Sequence, residues 1–474
     1  MRRSPALARF AATALVVAVA VGVGLPVGGA ATTRVGAGLD GAVSTRACPA
    51  PAVGQVACDL LVVDPGRVAA QPNVSGAPVR VTTTTTVRAT TTTTPRATTT
   101  TAPRATTTTA PRATTTTAPA ATTTTAPAAT TTTAPTTTTT TAPTTTTTVL
   151  PGVSGLDPAT VKAAYQWPTA ADAGTGRTIV VVTAFDAPNL EADLASFSTQ
   201  FSLPSCTVAS TCLTVRNQTG GTPLPGANAA WSLETTMDVE WAHAIAPGAR
   251  IVVVEATDAT VDNLMAAATW GKSQGTSVSM SWGAPEFANE TGSRYSGAFV
   301  KSGVSFFASA GNSGLPAQFP SASMNVVSVG GTTLSLNGTA VVAETGWVSG
   351  GGGCSLYESA ASAQTNFSGY KATKCGGKRS TPDLSLVANP ATGVWVYSST
   401  PYNAQTGWFV LGGTSVATVM VAARSAATGT AMNATQVYGS RPTFRDITSG
   451  GNTGGCLVGF DLCSGRGSWT GSTP

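Results

Sequence analysis

Beyond Leu156 the chain carries five short runs, apolar or built of small residues: 178–183 (TIVVVT), 250–255 (RIVVVE), 277–281, 305–308 and 326–329. Runs this short, without polar alternation and rich in β-branched residues, read as strands buried on both faces. Between several of them lie stretches read as helices, 191–201, 232–244, 262–273 and 289–302. Strands alternating with helices predict an α/β fold with a doubly wound, mainly parallel sheet flanked by helices, and residues 151–474 are enough for one such domain. Functional side chains on such a sheet belong at the carboxyl ends of its strands.

The pattern upstream is different. Arg2, Arg3 and Arg9 precede an uncharged Ala/Val-rich run over 10–29, which ends in small residues. That order predicts a secretory signal peptide over residues 1–30, cleaved after Ala30 or Ala31, with a retained anchor as the competing reading. Residues 82–150 are almost entirely Thr, Ala, Pro and Arg, with prolines every eight residues from Pro95 to Pro143. Without large apolar side chains such a stretch cannot bury a core, so it is expected to be a disordered, O-glycosylated stalk with a reach on the order of 200 Å. Residues 31–81, with one pair of cysteines, read either as a small looped module or as a processed leader.

Charge and cysteine content narrow the setting. Charged residues are 10% of the chain and the net charge is +5, with several arginines in the leader and the repeats. The folded part is therefore close to neutral, which argues against nucleic acid as a partner. The eight cysteines fall into four neighbouring pairs, 48/58, 206/212, 354/375 and 456/463. In an exported chain an even set reads as disulfides, and a zinc site is disfavoured because no CxxC spacing occurs and one histidine cannot complete the ligands. The expected product is secreted or associated with the cell surface, monomeric, and without stable membrane insertion after signal cleavage.

Candidate chemistry centres on Gly413-Thr414-Ser415, which precedes an apolar helical run over 416–423. A serine at a helix start presents both a hydroxyl and an outward N–H, suited to a nucleophile and an oxyanion donor, although an N-cap role is equally ordinary for the residue type. It needs a base. His243, the one histidine, shares a helical stretch with Glu234 and Asp238. At about 100° per residue the two carboxylates share a face, whereas His243 lies roughly 140° from Asp238 and 180° from Glu234. Glu234 and Asp238 are thus the better base candidates.

Eight ordered segments extend this reading: ETTMDVEWAHAIAPGA from Glu234, SMSWG from Ser279, ASAGNSG from Ala308, FPSASMNVVSVGGTTL from Phe319, WVSGGGGCS from Trp347, TPDLSLVANPATGVWVY from Thr381, GGTS from Gly412 and FRDITSG from Phe444. With them, residues 156–468 resemble the sedolisins, serine-carboxyl peptidases of subtilisin-like fold. The resemblance implies that Ser415 attacks the scissile carbonyl, Glu234 takes and returns the proton, and Asp238 orients and shares a proton with Glu234. It implies an oxyanion role for Asn312, where sedolisins usually carry Asp, and peptide-binding segments at Ser281, Trp282 and Gly283 and at Gly350, Gly351 and Gly352. It also implies one structural Ca2+ held by Asp446 and Asp461 with the carbonyls of Ile447, Leu457 and Gly459.

A true subtilisin is disfavoured because Thr183 stands where that family's triad Asp would end the first strand, and no His-Gly motif exists. Val419 replaces a proline usual in sedolisins, and the segment before the stalk is too short for their large pro-domain. The expected function is a secreted, acid-active serine-carboxyl endopeptidase or tripeptidyl-type peptidase, acting on protein or peptide substrates through a Ser-Glu-Asp triad and an acyl-enzyme. The alternative is a catalytically weak or inactive surface protein of peptidase fold that binds peptides in its cleft on a glycosylated stalk.

Overall fold

The computed structural model describes residues 42–68, 82–83, 146–147, 154–440, 442–452 and 454–471. The chain divides into two compact units, Met1–Ala77 together with Pro151–Pro474, and Pro78–Leu150. In the second unit the described residues are Thr82–Thr83 and Thr146–Thr147, paired antiparallel. The expected signal peptide and nearly all of the expected stalk lie outside the described residues.

The first unit is a subtilisin-like α/β fold. Its main sheet runs in the order Ala340–Gly346, Val327–Asn337, Ser305–Ser309, Ser277–Met280, Thr178–Ala184, Arg250–Ala256 and Leu213–Asn217, with Leu384–Val387 also paired to Val327–Asn337. Every pairing is parallel except that of Ala340–Gly346. Thr178–Ala184 is buried along its whole length, as the unbroken apolar pattern requires, and each buried Ile or Val contributes about 1.5–3 kcal/mol.

Two helices meet over this sheet. Ala229–Ile245 starts at Asn228, whose side chain accepts from the N–H groups of Ala230 and Trp231. Thr414–Thr428 follows Gly413, held at φ 112°, and the two helices pack against each other. Helices at Leu190–Gln200 and Val261–Gly271 match expectation. The predicted helix over 289–302 does not form, and only a 3-10 turn at Ser296–Ala298 appears. Gly292 and Gly297 weaken a helix there, and the Glu290 carboxylate turns back to accept from the Phe287 N–H.

All four neighbouring cysteine pairs are disulfides. The described part of the N-terminal segment belongs to the same compact unit as residues 151–474. Ala42–Arg46 and Leu61–Val68 form an antiparallel pair, and Leu61–Val68 continues alongside Gln405–Gly412. Between them Ala57–Cys58 pairs antiparallel with Trp282–Pro285.

Candidate active site

Glu234 and Asp238 sit one turn apart on the Ala229–Ile245 helix, both buried against the start of Thr414–Thr428. Because Gly413 is the N-cap, Ser415 is the second helical residue and not a capping serine. The Ser415 hydroxyl lies 3.1 Å from Glu234 Oε2 and 3.2 Å from the Ser281 carbonyl oxygen. Ser281 Oγ in turn donates to Asp238 Oδ1 at 2.8 Å. Glu234 Oε1 and Asp238 Oδ2 have no hydrogen-bond partner among the described residues.

These orphan oxygens fit a pair of carboxyls that keeps a proton. Burial raises the pKa of Glu234 well above the ordinary range, the Asp238 charge adds to it, and the hydrogen bond from Ser415 opposes it. Burial likewise raises Asp238, and the Ser281 hydroxyl opposes. Two carboxyls in one dry site cannot both ionise cheaply, so they titrate as a unit.

His243 is elsewhere in function. Its Nε2 is 2.7 Å from the Pro204 carbonyl, and burial lowers its pKa. A buried neutral imidazole fixed to a backbone oxygen is a packing group here, in line with the angular separation read from the sequence.

Asn312 closes the opposite side of the serine. Its Oδ1 accepts from the Thr414 N–H at 2.8 Å and from Thr414 Oγ at 3.0 Å, which leaves Nδ2 as the donor, buried and without a hydrogen-bond partner among the described residues. Thr414 Oγ also accepts from the Gly311 N–H. Sequence reasoning missed Thr414, although its place between Gly413 and Ser415 was a signal. The Ser415 N–H donates to the carbonyl oxygen of Asp59 at 3.2 Å. A Cβ on Gly413 would lie 2.1 Å from that oxygen and 2.9 Å from Asn312 Nδ2. Only glycine leaves room for a peptide carbonyl at this point.

Trp282 and Gly283 pair through their backbone with Cys58 and Ala57, and the Ser281 carbonyl accepts from the Asp59 N–H, while the Trp282 ring is buried and donates from Nε1 to the Val182 carbonyl. Gly350, Gly351 and Gly352 lie behind the Asn312 loop: Gly351 N donates to Gly311 O, and Gly352 N donates to Gly314 O. A Cβ on Gly351 would meet the Ala310 carbonyl at 1.9 Å. The second edge paired with a strand is Leu411–Gly412, which sequence reasoning did not single out.

At the C-terminal end Asp446 Oδ2 accepts from the Gly459 N–H, and Asp461 accepts from the N–H groups of Leu457, Cys463 and Ser464 and from Ser464 Oγ. The loop over 457–461 thus hangs from both carboxylates. Carboxylate oxygens with the Ile447, Leu457 and Gly459 carbonyls nearby in sequence are a hard donor set, chemically suited to Ca2+.

Residues 206–446 match the Subtilase family of peptidases. That match spans half of the chain. The chain belongs to the subtilase family. It is 31% identical over 354 residues to Kumamolisin from Bacillus sp. (strain MN-32), an alignment that covers 66% of this chain and 61% of that relative. In solved structures it is similar to Pseudomonas sedolisin, a serine-carboxyl proteinase complexed with pseudo-iodotyrostatin, with a TM-score of 0.56 and 24% identity over 66% of this chain and 95% of that one. The second likeness is one of fold.

Proposed function

We propose that this subtilase is a secreted serine-carboxyl peptidase that hydrolyses peptide bonds through an acyl-enzyme on Ser415. The reading is carried by one observation: the Ser415 hydroxyl is hydrogen-bonded to a buried Glu234 while its own N–H holds a peptide carbonyl. Ser415 Oγ attacks the carbonyl carbon, and its proton passes to Glu234 Oε2. The oxyanion is held by the Ser415 N–H and the Asn312 amide. Glu234 then protonates the leaving amine, the carbon–nitrogen bond breaks, and water attacks the ester with Glu234 again as base. Asp238, fixed by Ser281, keeps the shared proton and orients Glu234.

A carboxyl base is supported in acid, where one proton resides on the pair, and the protein or peptide substrate is bound by strand addition along Ser281–Gly283. One Ca2+ at Asp446 and Asp461 would fasten the C-terminal loops without entering the chemistry. Export is supported by the charged-then-apolar leader and by the disulfides; among the described residues no helix is long and apolar enough to cross a membrane. The test is turnover of a denatured protein by the secreted chain and by its Ser415→Ala variant from acid to neutrality. Measurable turnover that is unchanged in Ser415→Ala rejects the reading.

A further inference from the structure

Residues 56–62 cross the serine as two short strands joined by Asp59 and Leu60, each strand in antiparallel register with one edge of the cleft. Ala57 pairs with Gly283 and Cys58 with Trp282, and the Asp59 N–H donates to the Ser281 carbonyl at 3.2 Å. On the other side Leu61 pairs with Gly412 and Val62 with Leu411. At the crossing point the Asp59 carbonyl accepts from the Ser415 N–H. The bond aligned with the nucleophile is therefore the one between Asp59 and Leu60.

The Asp59 side chain enters a built pocket. Its Oδ2 accepts from Ser309 Oγ and from Gln318 Nε2, each at 2.6 Å, and the Gln318 amide is further fixed by the Ser309 carbonyl at 3.0 Å. The Gln318 side chain occupies space left by two glycines, since a Cβ on Gly283 would come within 2.0 Å of it and one on Gly311 within 2.8 Å. The charged groups facing Asp59 are Arg46, which also bonds the Asn312 carbonyl and Ser313 Oγ, and Glu234. Burial raises the Asp59 pKa and outweighs Ser309, Gln318 and Arg46, which oppose it. A dry pocket beside another carboxyl favours a side chain that arrives uncharged.

We propose that Ser309 and Gln318 form the specificity pocket for an aspartyl side chain immediately before the scissile bond, and that Asp59 is its resident occupant, holding residues 56–62 in the cleft as an internal pseudosubstrate. The proposal rests on the peptidase reading above for the pocket's use, but not for its occupancy. The Cys48–Cys58 disulfide and the pairing of Ala42–Arg46 with Leu61–Val68 brace the strand on both sides of Asp59. A strand pre-set in its bound shape loses little entropy on seating, which is how a short segment can hold a cleft.

The full chain and its Asp59→Lys, Asp59→Ala and Asp59→Asn variants are assayed in acid on two synthetic peptides that differ only in Asp or Lys before the cleaved bond. Asp59→Lys and Asp59→Ala are expected to turn over the Asp peptide at least about tenfold faster than the parent, and at least about tenfold faster than the Lys peptide. Asp59→Asn, uncharged and the same shape, is expected to stay as slow as the parent. Equal, measurable rates for parent and variants overturn the occupancy, and measurable turnover with no preference for the Asp peptide overturns the pocket. Amide hydrogen exchange on the same chains separates this proposal from the peptidase reading. If no form turns over any peptide but the amides of Val56, which donates to the Ala259 carbonyl, and of residue 59 are protected in the parent and unprotected in Asp59→Lys and Asp59→Ala, the catalytic reading falls and the occupancy stands. Val56 and Asp59 amides that exchange alike in all forms overturn it.

Discussion

Ser281 Oγ donates to Asp238 Oδ1 at 2.8 Å, while the carbonyl of the same residue faces the Ser415 hydroxyl at 3.2 Å. One residue thus touches both ends of the proposed catalytic group. The bond favours ionised Asp238, so Ser281→Ala should raise the pKa of the carboxyl pair further. The acid limb of kcat/KM should move to higher pH and the maximum fall roughly tenfold, the value of about 1.4 kcal/mol for a lost bond to a charged group. A pH profile with an unmoved limb would refute this role.

Glu234→Ala and Asp238→Ala should each remove most turnover, on the order of a thousandfold or more for Glu234. His243→Ala should act on stability alone, through the lost contact with Pro204. Single-turnover rates on a denatured protein, read beside melting curves, separate the two effects; activity that follows His243 and ignores Glu234 would reverse the assignment.

The polypeptide should be more stable in acid than at mildly basic pH. Folding raises the pKa values of Glu234, Asp238 and Glu240, Glu255 to about 8, and Glu290 to about 9, in each case chiefly by burial. A raised folded pKa gives stability that is full below the unfolded value and is lost as pH climbs through the folded one. His243, lowered by burial, works in the opposite sense but alone among the groups that titrate between mild acid and neutrality. Each group that must release a proton costs about 1.4 kcal/mol per pH unit within its window. Melting temperature should therefore fall as pH rises from mild acid, and Glu240→Gln should flatten the slope.

Asn312→Asp replaces a donor that works at any pH with one that works only when protonated. Activity should survive in acid and drop toward neutrality by about a hundredfold relative to the parent. Superimposable kcat/KM profiles for the two forms would mean that Asn312 Nδ2 does not face the developing oxyanion.

Chelation, or Asp446→Ala or Asp461→Ala, should lower the melting temperature and activity together if Ca2+ holds these loops. Calorimetry with and without added Ca2+ checks this directly. Leu457, Cys463 and Ser464 already place N–H groups on Asp461, so an unchanged transition after verified metal removal would assign the loop to hydrogen bonds alone.

The parallel sheet was readable because its strands are apolar without interruption, a local property. The grouping of Glu234, Asp238 and Ser415 was readable because helical spacing excludes His243 and the ordered motifs supply the rest. Asp59 was not readable. Its partners Ser309 and Gln318 are 250 and 259 residues away, and nothing in the local pattern tells an aspartate in a pocket from one in a turn. The stretch over 289–302 misled for a related reason: Glu290 is satisfied by the Phe287 N–H in a turn, and that competition is invisible in the spacing of apolar residues.

If Asp59 gives up its proton, its negative charge falls on Glu234 and raises the pKa of the base it lies against. A guest acid in the pocket is therefore part of the proton store and not merely a shape to be recognised. Two substrates that differ only in that one side chain would set two different acid limits on the same enzyme, so the pH at which this chain works would be written partly in what it is given to cut.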